Sequence, residues 1–222
     1  HVAAQTAQEF IDTVLKSQLN PVSLVIGNDF HFGHNRSGTI ELLKENNLDV
    51  FSATLLADAQ HGTISATRIR GLIQSGHISE ANQLLGWDWE MRGTVEKGDQ
   101  RGRLLGYPTA NIPLGETIHP AYGVYATMVQ IEGETQWRMA ATNIGIRPMF
   151  EVKTALIEAH LMNYTGDLYG KILRVRPVKK MRDEMKFNNL DSLVEQIEED
   201  CQESRSILIA KTNCESSEYD IL

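Results

Sequence analysis

Residues 98–111 run Gly-Asp-Gln-Arg-Gly-Arg-Leu-Leu-Gly-Tyr-Pro-Thr-Ala-Asn, residue types suited to handling a nucleotide phosphate. Gly98, Gly102 and Gly106 let backbone come close to a ligand. Arg101 and Arg103 can meet phosphate with charge. Thr109 and Asn111 stand two residues apart, so in a strand they share a face and offer neutral oxygens of the kind Mg²⁺ takes. No Gly-x-x-x-x-Gly-Lys-[Ser/Thr] loop occurs, so such a site is not of the Walker type. Glycine spacing alone favours a solvated hairpin turn. A second candidate for chemistry is Glu158. In a strand over 155–161, Ile157 and Ala159 face one way and Glu158 the other, as a base above an apolar layer would. On its own, that pattern better fits an ordinary solvent-facing strand residue.

Two kinds of architecture must position these groups. Thr6-Ala7-Gln8-Glu9 has the form of a capping box ahead of Phe10, Ile11, Val14, Leu15 and Leu19 at helical spacing, with Pro21 as the stop. An apolar run at 22–26, a polar segment at 27–38, a helical pattern at 39–47 and an apolar run at 50–56 follow. Helix and strand alternate as in a parallel α/β sheet, but with only two strands that sheet is short of the usual five or six. Ser65 is placed to cap a helix over 67–74, and a second short helix is expected over 80–85. Beyond Gly86-Trp87 the pattern changes to β-like runs at 91–96, 124–131, 137–143, 155–161 and 172–178, divided by Gly, Pro and Asp. Short strands with turn signals suggest a sandwich or barrel. Asp191 is placed to cap a final helix with Val194, Ile197 and Cys201 on one side, and the polar tail after Ala210 is expected to be mobile. The expected division is 1–86, 87–210 and a tail at 211–222.

The chain has 222 residues, 41% of them hydrophobic, enough for one large or two small cores. A net charge of −8, from 21 basic and 29 acidic residues, argues against a general nucleic-acid binder. Two cysteines, Cys201 and Cys214, make no disulfide framework, which fits the cytoplasm. No apolar run reaches membrane-spanning length, so no membrane partner is expected. The chain opens His1-Val2-Ala3-Ala4 without an initiator Met and reads as a fragment or a processed chain.

Further segments follow in order: NIGIRPMF at 143–150, IEAHL at 157–161, GDLYGK at 166–171 and RDEMKF at 182–187. Together with 98–111 they resemble the riboflavin kinase module of the prokaryotic bifunctional riboflavin kinase/FMN adenylyltransferases, also called FAD synthetases. The resemblance covers roughly residues 5–205. It implies a partial Rossmann-like nucleotidyltransferase domain, then a six-stranded antiparallel β-barrel with a C-terminal helix. It implies ATP, riboflavin, FMN and FAD as substrates or products and Mg²⁺ as cofactor. By this resemblance Thr109 and Asn111 hold the metal and ATP phosphates. Gly98, Gly102 and Arg103 belong to a flap over the nucleotide, and Glu158 is the base. Arg182, Glu184 and Phe187 close over the flavin. Three positions depart from the family pattern: Met149 for Thr, Asn163 for Asp and Tyr107 for Phe.

ISATRIR at 64–70 resembles the nucleotidyltransferase motif Ile-Ser-Ser-Thr-x-x-Arg, with Ala66 replacing the second Ser. Ser65, Thr67 and Arg70 would face phosphate at a helix N-terminus. Asp29 falls in the matching Gly-x-Asp-Phe segment. His31 and His34 imitate a His-x-Gly-His signature but sit inside that later segment, so they read as loop histidines. The family's own signature is then expected upstream of His1. The leading expectation is a riboflavin kinase that forms FMN and not FAD. The alternatives are a complete FAD synthetase in a longer parent protein and a flavin- or nucleotide-binding module without turnover.

Overall fold

The computed structural model describes residues 4–53, 57–58, 62–98, 100–149 and 152–219, which divide into two compact units, His1–Ile64 and Ser65–Leu222. In the first unit, helix α1 opens at Ala7–Glu9 and continues through Phe10–Leu19. Both halves of its capping box form: Thr6 Oγ1 accepts from the Glu9 amide, and the Glu9 carboxylate accepts from the Thr6 amide. Asn20, in the left-handed region, ends the helix just ahead of Pro21. Strand β1 (Leu24–Gly27) pairs in parallel with β2 (Val50–Ala53), and α2 (Ile40–Glu45), capped by Thr39, connects them. The outer part of the strand expected over 50–56 lies outside the described residues. Ile11, Leu15, Phe32 and Leu43 form this unit's core, with Leu24, Ile26 and Val50 packed against it. A two-residue hairpin, β3 (Ala57–Asp58) with β4 (Gly62–Thr63), completes it.

In the second unit Ser65 caps α3 (Ala66–Gln74), its hydroxyl accepting from the Arg68 amide, and α4 (Ile78–Leu85) follows. Ile73, Ile78 and Ala81 join the core of the strands that follow. For that reason the compact unit begins at Ser65, ahead of the expected boundary at 86/87. Strands β5 (Met91–Thr94), β6 (Ala110–Pro113), β7 (Gly123–Ile131), β8 (Trp137–Met149), β9 (Val152–Leu161) and β10 (Ile172–Arg182) form one antiparallel sheet in the order β5-β10-β7-β8-β9-β6. The two outer strands meet where the Glu96 amide donates to the Asn111 carbonyl at 2.8 Å, so the sheet closes nearly into a barrel. A Cβ at Gly93 would stand 2.5 Å from the Ile112 side chain, so glycine permits this close crossing.

Alternate residues fill the interior: Val129 and Ile131 of β7, Ala140 and Ile144 of β8, Ile157 and Ala159 of β9, Leu173 and Val175 of β10. Thr127 and Thr142 are wholly buried and satisfy one another through a 2.7 Å hydroxyl–hydroxyl bond. Helix α6 (Leu190–Tyr219) lies on the outer face of β7 and β8. Asn189, rather than Asp191, caps it: Asn189 Oδ1 accepts from the Ser192 amide, leaving Asp191 in the first turn. Its buried stripe is Asp200, Cys201, Ser204 and Leu208, with Ile197 packed alongside. The helix runs on past Ala210 through the tail that was expected to be mobile, and Lys211 Nζ bridges to both oxygens of Asp88 at 2.6 and 2.7 Å.

Candidate functional site

Strand register builds the centre of the site. Asn111 on β6 stands opposite Glu158 on β9, which stands opposite Asn143 on β8. Three polar side chains thus form a row across adjacent strands, on the face turned away from the barrel interior. The Asn143 amide donates to Glu158 Oε2 at 3.4 Å. Asn111 is buried, and its Oδ1 has no hydrogen-bond partner among the described residues. A buried unpaired amide oxygen is costly unless a donor or cation meets it.

This row opens into a cavity of about 360 Å³. Its floor carries Thr109, Asn111, Asn143, Glu158 and His160, and its wall carries Met185, Phe187, Leu193 and Ile197. Apolar walls around a few convergent polar groups are the usual form of a small-molecule site. A smaller cavity, about 60 Å³, is lined by Arg103, Tyr164, Asp167 and Tyr169 and shares Thr109 and Asn111 with the first. Gly102 lines the larger cavity and Arg103 the smaller.

The segment ahead of β6 is more ordered than the expected loop. Arg101–Leu104 winds one helical turn, α5, after Gln100 in the left-handed region. A Cβ on Gly102 would overlap the Tyr107 carbonyl, and one on Gly98 would stand 2.7 Å from the Asn111 side-chain carbon, so both glycines allow close packing. The Arg101 side chain and all of Asp99 lie outside the described residues.

From the other side, the segment after β10 brings in Arg182, Glu184 and Phe187. Arg182 is held in a two-pronged pair with Asp200 of α6, at 2.8 and 2.6 Å. Neither partner is exposed, and the paired geometry makes this an anchor between β10 and α6. Glu184 Oε1 accepts from the Asn143 amide at 3.4 Å. Burial pushes the Cys201 thiol up to about 11, with Glu198 and Asp200 adding to it. It therefore lines the cavity as a neutral thiol rather than as a nucleophile. The Tyr107 phenol donates to Glu198 at 2.6 Å, which raises it to about 12 and lowers Glu198.

Of the kinase-side candidates, Gly102, Thr109, Asn111, Glu158, Arg182, Glu184 and Phe187 line one cavity, Gly98 packs on Asn111, and Arg103 lines the adjoining cavity. Among the described residues no group of three His, Cys, Asp or Glu side chains could hold a metal. The orphaned Asn111 oxygen beside Thr109 nevertheless fits Mg²⁺ bound chiefly through phosphate oxygens. The other candidates fall in both units: Asp29 is exposed in the first, and Ser65, Thr67 and Arg70 open α3 in the second. His31 and His34 are exposed, His31 Nδ1 lying 2.8 Å from the Asp29 carbonyl, which fits loop histidines. The backbones of Arg147 and Met149 lie on β8, but their side chains, and Phe150, lie outside the described residues.

Sequence reasoning did not single out Asn143, His160 or Asp200. Alternation from Glu158 points to His160, and Asn143 opens the quoted 143–150 segment. Asp200 left a weaker signal, an acid within the apolar stripe of α6.

The family model for riboflavin kinase matches residues 85–208, and the model for FAD synthetase matches residues 1–68. The chain is 38% identical over 201 residues to a bifunctional riboflavin kinase/FMN adenylyltransferase of Escherichia coli K12, covering 89% of this chain and 64% of that protein. It is 36% identical over 203 residues to the protein of the same name from Listeria monocytogenes, covering 90% and 64%. The chain thus spans about 64% of the length of these curated relatives. A solved structure from Streptococcus pneumoniae, described as a macrolide-efflux protein, superposes with a TM-score of 0.78 at 37% identity, covering 91% of this chain and 66% of that one.

Proposed function

The chain belongs to the riboflavin kinase family, and on that premise we propose that it transfers the γ-phosphate of ATP to the 5′-hydroxyl of riboflavin, giving FMN and ADP. The observation that carries the reading is the row Asn111–Glu158–Asn143 at the floor of an apolar-walled cavity. Riboflavin occupies the larger cavity, with its ring system beside Phe187 and its ribityl chain reaching toward Glu158. Glu158 takes the proton as the 5′-oxygen bonds to the γ-phosphorus, and the bond from that phosphorus to the β-bridging oxygen breaks, releasing ADP. Arg103 and the glycine-rich turn at Gly98 and Gly102 face the nucleotide at the smaller cavity.

Thr109 and Asn111 would hold Mg²⁺, which when bound neutralises phosphate charge. The chain's own contribution is positioning, since phosphoryl transfer needs little covalent chemistry from the protein. Arg182, tied to Asp200, braces the segment that carries Glu184 and Phe187.

Formation of FAD from FMN is a separate question. Ser65, Thr67, Arg70 and Asp29 are the candidates for adenylyl transfer. The parallel sheet of the first unit has two strands among the described residues, with Val25 and Phe51 bare on one face. We therefore expect FMN without FAD from this chain. Chromatographic resolution of products from riboflavin and Mg-ATP tests both statements. FMN alone agrees with both, FAD overturns the second, and bound riboflavin without product would instead identify a binding module.

A further inference from the structure

We propose that Asn143 is the positioning residue for Glu158, its amide holding that carboxylate in place and separating it from the second carboxylate, Glu184. This rests on the reading of Glu158 as the base. Asn143 is fixed directly opposite Glu158 by the β8–β9 register, on a stretch paired continuously from Ala140 to Met149. Its Nδ2 lies 3.4 Å from Glu158 Oε2 and 3.4 Å from Glu184 Oε1. An amide nitrogen carries two hydrogens, and an ionised carboxylate only accepts, so one Asn can serve both acids at once. Both distances are long for such bonds, which places the amide between the acids rather than committed to either.

The backbone agrees with this arrangement. Two residues further along β8 stands Gly145, and a Cβ there would overlap the Glu184 carboxylate. Glycine at 145 therefore lets Glu184 approach the sheet at the point where Asn143 can reach it. The other titratable groups facing the cavity are Tyr107 before β6, His160 on β9, Arg182 on β10, and Asp200 and Cys201 on α6. Arg182 and Asp200 are engaged with one another, while Asn143 Nδ2 reaches both Glu158 and Glu184.

The consequence is positional. Asn143→Asp keeps the shape and removes the donor that reaches both carboxylates. The test is kcat and KM for riboflavin with saturating Mg-ATP, in wild type, Asn143→Asp and Glu158→Gln, with riboflavin binding followed by fluorescence quenching. We expect Asn143→Asp to lower kcat by about tenfold or more with riboflavin still bound at wild-type affinity. Unchanged kcat with riboflavin bound would overturn the proposal and leave Asn143 a merely structural residue.

The underlying reading fails separately: a Glu158→Gln variant with normal turnover removes the base itself, whatever Asn143 does. Should Asn143→Asp fail to bind riboflavin, Asn143→Ser decides. A loss of about tenfold in kcat with unchanged riboflavin affinity supports the positioning role, and unchanged kcat overturns it.

Discussion

The two units treat apolar surface in opposite ways. In the second, β7 is buried on both faces, because the barrel interior takes one set of side chains and α6 covers the outer side. In the first, helices cover Leu24 and Ile26 on one face of the parallel pair, while Val25 remains 74% exposed and its partner Phe51 57% exposed. Parallel sheets are ordinarily covered on both faces. The contrast teaches where precise chemistry can be held. A row such as Asn111–Glu158–Asn143 needs strands fixed in register, and register is strongest where burial would punish a slip.

The comparison predicts that damage to the second unit is severe and damage to the first is mild. Glu158→Gln should lower kcat by about 10²–10⁴-fold with riboflavin binding retained, as read by turnover and fluorescence quenching. Ile144, wholly buried in the barrel, should cost about 2–5 kcal/mol when cut to Ala, measured by urea denaturation followed at the barrel's own transition. Thr109→Ala should raise the KM for Mg-ATP by about tenfold or more, the cost of one bond to a charged group. An unchanged ATP dependence would break the assignment of the phosphate side.

Tyr107→Phe should lower stability at neutral pH and progressively less toward the alkaline edge. The phenol is raised from 10 to about 12, so its bond to Glu198 stabilises the fold fully below pH 10 and is lost as pH rises through 12. Melting temperatures at pH 8 and pH 11 should fall further apart in wild type than in the variant. Phe51→Ser should be the mildest, within about 0.5 kcal/mol and with FMN formation unchanged. A large loss of kinase turnover in that variant would erase the distinction between the units.

Much of this was legible from local rules. The Thr6 capping box and the Ser65 cap form as residue type and spacing demand. Alternation around Glu158 gave its outward face, and the spacing of Thr109 and Asn111 gave their shared cavity. Motif resemblance supplied what alternation cannot, the function proposed for that face. The strand at 110–113 was not among the expected runs, because it is only four residues long and shows no apolar run.

What stayed hidden depends on partners far along the chain. Asp191 and Asn189 are both good caps by type, and the one whose side chain reaches the amide three residues on is settled by the chain's path into α6. The helix past Ala210 was not foreseen because its polar residues declare no apolar stripe, whereas Lys211 within it is held by Asp88, more than a hundred residues earlier. Thr127 and Thr142 interrupt apolar alternation and find each other only after β7 and β8 pair. Asp200 has the same origin, since an acid in an apolar stripe makes sense only once Arg182 is beside it.

Strand β9 carries two messages in one thread. Ile157 and Ala159 are spelled for the interior, Glu158 and His160 for the cavity. Point changes can edit either message alone, so the interior is free to drift in sequence while the chemistry stays as it is. Insertion or deletion of a single residue cannot, because it transposes the two sets and puts a carboxylate into the barrel as it turns an isoleucine outward. Natural variation along this strand should therefore be rich in substitutions and empty of length changes, with insertions confined to the turns at its ends.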